Sequence, residues 1–222
     1  MLTLEPGVRR VATLVWAANA ITTLINTTLP LLAPVLGLGA YATEARDWIL
    51  IGHGAVGLVA SWYLALALFS SAAGTAGAGL LFALIEKGAE LAGQVLIVFT
   101  VHRGWQAELA HVTEPVRRAV LEARIGLFTD LWDDTFLVFW LGNLLSNALW
   151  WRAARHAPNS RGLRVAFLVM TLLTVALILE DYAGQTWLGA PLRVAYPVLL
   201  TGSRAWIAWW LHRLHAAGAH GG

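Results

Sequence analysis

Leu80–Val101, LLFALIEKGAELAGQVLIVFTV, is long and apolar enough to cross a bilayer, yet it carries Glu86, Lys87, Glu90 and Gln94 in its middle. In a helix Glu86, Glu90 and Gln94 stand at i, i+4 and i+8, on one face. Lys87, the only lysine in the chain, lies beside that face, three residues before Glu90. A charge at membrane depth costs about 2.5–3.5 kcal/mol on insertion scales. Such groups are kept inside a bundle, paired, or beside a wet cavity. The stretch therefore points to a polar site within an apolar bundle.

Working outward, the composition agrees. The 222 residues are 58% hydrophobic and 13% charged, with a mean hydropathy of +0.65. An ordinary soluble domain carries about twice that charged share. The expected class is an all-α integral membrane fold in contact with the lipid bilayer. The formal net charge of +2 is carried largely by loop arginines, so it reads as topology information and no nucleic-acid partner is expected. The chain has no cysteine, which excludes disulfides and thiolate nucleophiles.

The apolar runs predict a single domain, 1–222, of six transmembrane helices over 11–29, 48–69, 80–101, 127–151, 163–182 and 191–212. Pro30 and Pro34 are expected to end the first span. The small-residue stretch 70–79, SSAAGTAGAG, reads as the turn between the second and third. Thr113 is a candidate N-cap for PVRRAVLEARIG, 115–126, a short amphipathic helix that either lies on the membrane surface or runs into the fourth span. The loop after the fourth span holds Arg152, Arg155, Arg161 and Arg164 and no acid. By the positive-inside rule that loop and both termini face the cytoplasm, in a multi-pass protein of the cell (inner) membrane. Trp48 and Trp187 mark one set of helix ends, and Trp150, Trp151, Trp209 and Trp210 the other.

Each span carries a polar stripe. Asn19, Thr22, Thr23, Thr171 and Thr174 read as hydrogen-bonding glue between helices. Gly57 and Gly88 read as points of close backbone approach. The candidate site residues are the ionisable groups Glu86, Glu90 and Asp133, tentative acid and base if the protein is an enzyme. Around them stand candidate ligand-binding residues: His53, Lys87, Gln94, Asp134, Trp140, Asn143, Asp181, Tyr196 and Arg204. Acids outnumber bases in this set, so a small cationic or amphipathic ligand is expected. The plainer alternative makes the charges structural bridges, Lys87 to Glu90 and Arg204 to Glu86 or Asp133. His212 and His215 stand one turn apart, but helix-end histidines reaching water are the commoner case, and no metal or cofactor is expected. No nucleophile elbow, P-loop or HExxH motif is present.

Several local features resemble an uncharacterised family of six-helix bacterial membrane proteins, catalogued as domain of unknown function 4386. They are an aromatic-rich third helix with an Ile-Glu step, Phe82 to Glu86, and paired aromatics with a basic end in the fourth, Phe139, Trp140 and Arg152. Pro158 leading to Gly162 at the start of the fifth completes the likeness. The chain departs from the pattern at Ala83, where an Arg is common, and at Asn143, where a His is common. The resemblance implies a six-helix fold and no particular activity.

Three functions remain open on these residues. One is a pocket that binds or passes a small ligand. The second is an intramembrane acid–base enzyme, an isomerase, cyclase or hydrolase, acting on a lipophilic substrate. The third is an accessory or assembly subunit, whose charges meet a membrane-protein partner or a second copy of the chain.

Overall fold

The structure, a computed structural model, describes residues 5–33, 35–37, 39–185 and 189–219. Among the described residues the chain is helical throughout, joined by short connections and without strands. Helix α1 is Pro6–Leu32 and begins with proline in its first turn, where the missing N–H is harmless. It passes through Pro30 instead of ending there. The cost falls on the carbonyl of Asn26, whose usual helical donor Pro30 cannot supply. Pro34 and Trp187 lie outside the described residues, as does the side chain of His215.

Helix α2, Gly39–Leu96, is broken once, at Ala72 (φ −160°, ψ 68°). Its two limbs, 39–71 and 73–96, fold back on one another. Gly54 faces Leu91 and Gly57 faces Lys87. Nearer the ends, Trp48 meets Phe99, and Asp47 meets His102. Partners climb one limb as they descend the other, so the limbs are antiparallel. The turn expected over 70–79 contracts to one non-helical residue, and the remaining small side chains stay helical. The second limb runs on as a wide-turned π-helix, Ile97–Gln106, and a short α3, Ala107–Leu109.

Helix α4, Pro115–Ala154, is continuous over 40 residues. The segment 115–126 is its first part, not a separate surface helix. Glu114 occupies the N-cap position expected for Thr113, because Pro115 already opens the helix at the next residue. Helices α5, Arg161–Asp181, and α6, Gly189–Ala219, follow, the latter containing Pro197.

The helices pack in a ring. Helix α1 contacts α2 and α6, α2 contacts α4, α4 contacts α5, and α5 closes onto α6. One end of the ring is solidly apolar, with Trp16, Leu64, Leu68, Trp150, Leu163, Phe167, Ile207 and Leu211 buried together. The other end is hollow. Outward faces carry large exposed apolar side chains, among them Leu14, Leu81, Ile85, Leu127, Leu172 and Val198. Among the described residues two helices are long and apolar enough to cross a membrane, Glu44–Leu109, which covers most of the first limb and all of the second, and Arg161–Asp181. The others give up apolar length to polar residues: the Asn and Thr stripe of α1, the acids and asparagines of α4, and Arg204 in α6.

Close approach of the second limb to α4 depends on Gly142. A Cβ there would stand 3.1 Å from Glu86 Cβ and 3.2 Å from the Phe82 carbonyl oxygen. Backbone on the facing side cannot rotate away. Gly142→Val should therefore cost about 1–3 kcal/mol of stability by overpacking. Gly88, with nothing within 4 Å of its would-be Cβ, should instead gain about 0.8–1.0 kcal/mol as Ala from helix propensity. Thermal melting of both variants in a mild detergent checks the pair. An unchanged Gly142→Val would place the two helices further apart than described.

Candidate functional site

Lys87 is the centre of the site. Its ammonium lies 2.8 Å from Glu86 Oε1 and 2.8 Å from Glu90 Oε2. All three side chains are buried. Gly57, on the opposing limb, makes room for the lysine stem, since a Cβ there would come within 3.0 Å of Lys87 Cδ and Cε. Gly57 thus accommodates a side chain, where bare backbone contact was expected. The ammonium also lies 5.3 Å from the centre of the Phe139 ring, a distance at which the ring face adds favourable electrostatics.

Glu86 is further held from α4. Asn143 Nδ2 donates to Glu86 Oε1 at 2.7 Å, and Ser146 Oγ reaches Oε2 at 3.5 Å. Asn143 Oδ1 in turn accepts from Thr174 Oγ1 at 2.7 Å and from Asn147 Nδ2 at 2.8 Å. Thr174, read as glue, is therefore two hydrogen bonds from the carboxylate, through Asn143.

A second polar knot joins α1, the first limb and α6. One terminal nitrogen of Arg204 bonds the Thr23 hydroxyl, His53 Nε2 at 2.9 Å and Asn19 Oδ1 at 3.3 Å. Arginine can only donate, so His53 Nε2 must accept. Its proton is then on Nδ1, which faces Thr22 Oγ1 at 2.8 Å, and this fixes the neutral tautomer. Arg204 thus makes no ion pair with Glu86 or Asp133, against the bridge the sequence suggested.

Both knots abut a cavity of about 630 Å³. Of the expected site residues, His53, Lys87, Glu90, Gln94, Asp133, Trp140, Asn143, Tyr196 and Arg204 line it. Glu86 lies behind the lining, saturated by its partners. Asp133 is exposed and sits toward the mouth. Asp134 is exposed and does not line the cavity. Asp181 belongs to a separate surface hollow with Asp133, Phe136 and Tyr182. The acid excess expected from the sequence therefore does not extend to the buried floor, where Glu86 and Glu90 face Lys87 and Arg204. Asp181 ends α5 and is exposed, and Asp133 and Asp134 are exposed midway along α4.

The wall is aromatic. Phe128, Trp132, Phe136 and Trp140 on α4 recur every four residues along one side of the cavity. That spacing was visible in the chain but was not singled out. At the mouth, His102 Nε2 lies 2.7 Å from Asp47 Oδ2, and its Nδ1 lies 2.7 Å from Gln106 Oε1. Asp47 was missed because it precedes the apolar run and its partner stands 55 residues away. Three buried polar atoms on the lining have no hydrogen-bond partner: Asn26 Oδ1, Gln94 Oε1 and Trp140 Nε1. Among the described residues no cluster of three His, Cys, Asp or Glu suits a metal ion.

Chemically, the floor can hold a polar head while the wall covers an apolar body. Among the described residues the buried carboxylates that line the space are Glu90 at the floor and Asp47 at the mouth. Glu86 and Glu90 meet at the Lys87 ammonium, while Asp133 sits apart toward the mouth. No protein-family model matches the chain, and neither does any curated protein or any solved structure.

Removal of one partner from a buried ion pair leaves an uncompensated charge. Lys87→Met should therefore cost about 3–5 kcal/mol. The triple replacement Lys87→Met, Glu86→Gln, Glu90→Gln should recover much of that loss. Melting in detergent decides it, and a harmless Lys87→Met would mean the carboxylates are already protonated.

Proposed function

We propose that the chain is a multi-pass protein of the cell (inner) membrane whose ring of helices binds or passes a small amphipathic ligand. In this reading α1, both limbs of α2, α4, α5 and α6 each cross the bilayer, giving six spans with both termini in the cytoplasm. The exposed apolar belts and the antiparallel limbs support that count, as does the resemblance carried by Phe82 to Glu86, Phe139, Trp140 and Gly162. The solid end of the ring then faces the cytoplasm and the cavity opens outward. Reporter fusions after Arg103 and after Arg155 should give outside and inside signals respectively. The reverse pattern would invert the direction of the cavity.

The observation that carries ligand binding is the set of buried, unpartnered polar atoms on the lining, Gln94 Oε1 and Trp140 Nε1 above all. An orphaned buried polar atom costs about 1–3 kcal/mol, and a bound molecule or water repays it. Glu90 and Arg204 point into the ring and not toward lipid, so no partner subunit is required to cover them. Leu177 lines the cavity without bonding to either knot, and Leu177→Trp would obstruct part of it. Native lipid extract should raise the melting temperature of the wild type and not of Leu177→Trp. Equal shifts in both, or none in either, would remove the case for a ligand.

A further inference from the structure

We propose that the ligand is seated by an anionic head, a carboxylate or a phosphate monoester, on Arg204. This rests on the ligand-binding reading above. At the floor the four buried charges Glu86, Lys87, Glu90 and Arg204 sum to zero, and the buried Asp47 at the mouth is bonded to His102, so net charge does not choose the sign of the head. Their pairing does. Both carboxylates already have the Lys87 ammonium at 2.8 Å. A cationic head would have to compete with it.

Arg204 is in the opposite position. It is buried, with 7% of its surface exposed, and none of the ion pairs among the described residues includes it. Its partners Asn19, Thr23 and His53 are neutral, and all three meet one terminal nitrogen. The other two guanidinium nitrogens make no hydrogen bond among the described residues, and Arg204 lines the cavity. Guanidinium is a planar fork of donors that matches carboxylate and phosphate oxygens two at a time. Glu86 and Glu90 act on Arg204 only across the floor. A buried cation with no carboxylate in contact is costly, and an anionic head supplies that contact.

A second unpartnered donor belongs to the same lining: among the described residues Trp140 Nε1 is buried with no partner, and indole N–H can only donate. An acceptor-only head is the chemistry that either donor takes. The apolar body then lies along Trp132 and Phe136 toward the mouth.

The test uses the full chain in phosphatidylcholine nanodiscs, titrated with dodecanoate, dodecyl phosphate, dodecanol and dodecyltrimethylammonium while melting is followed. Dodecanoate or dodecyl phosphate should bind at least about tenfold tighter than dodecanol or the cation, because a charge-assisted fork is the stronger bond. The tighter of the two anions identifies the head as carboxylate or phosphate. Arg204→Gln should abolish the anion-induced shift. Trp140→Phe, which stays aromatic and loses the orphaned N–H, should weaken it several-fold while the ligand-free melt does not fall. Should Arg204→Gln fail to fold, an undiminished anion affinity in Trp140→Phe would overturn the proposal. Preferential binding of dodecyltrimethylammonium or dodecanol, blocked by Leu177→Trp, would overturn the anionic seat and leave the ligand pocket standing. No shift with any of the four compounds would overturn both.

Discussion

A lysine cannot keep its charge inside an apolar ring unless the ring answers it. Lys87 is answered twice, by Glu86 one residue before it and Glu90 three residues after it, all on one limb of one helix. Much of the cavity's floor is arranged around that local triad. Gly57 clears the stem of the lysine. Gly142 lets α4 come close enough for Asn143 to bond Glu86, and Thr174 fixes Asn143 from α5. One charge thus ties three helices to a common level, and the cavity begins where this tied layer stops.

The ring itself is asymmetric for a related reason. Below the charged layer the inward residues are apolar and interlock, with Phe167, Leu64, Leu68 and Leu211 fully buried. Above it polar groups recur on every inward face, and polar groups without complementary partners do not close-pack. Aromatic rings at four-residue spacing on α4 cover one side of the gap but do not fill it.

Much of this was legible in the chain. Residues 80–101 announced both a buried helix and its polar stripe, and the i, i+4, i+8 spacing put Glu86, Glu90 and Gln94 on one face as found. His53 and Arg204 were marked as inward by their place on the polar stripes. What local pattern could not show was pairing across distance. Arg204 meets Asn19, 185 residues earlier in the chain, and no periodicity carries that information. Charge balance failed for the same reason: the five acids of the candidate set become two at the buried floor, since Asp133, Asp134 and Asp181 are exposed. The hairpin was misjudged in the opposite direction. Small residues over 70–79 suggest a loop, yet alanine favours helix, and a single break at Ala72 suffices to reverse the chain.

That break bears on how the chain is assembled as it is made. Two limbs joined at one residue have almost no loop to order, so the entropy of bringing them together is small. Their contacts are local in sequence, which favours early and rapid pairing. The lysine is neutralised within its own limb before α4 has been synthesised. Arg204 is different: it belongs to α6 and must find Asn19, Thr23 and His53 already in place. Helix α6 therefore carries an arginine with no ion pair among the described residues into a ring whose earlier members are set, and seating that arginine is the step that closes the circle.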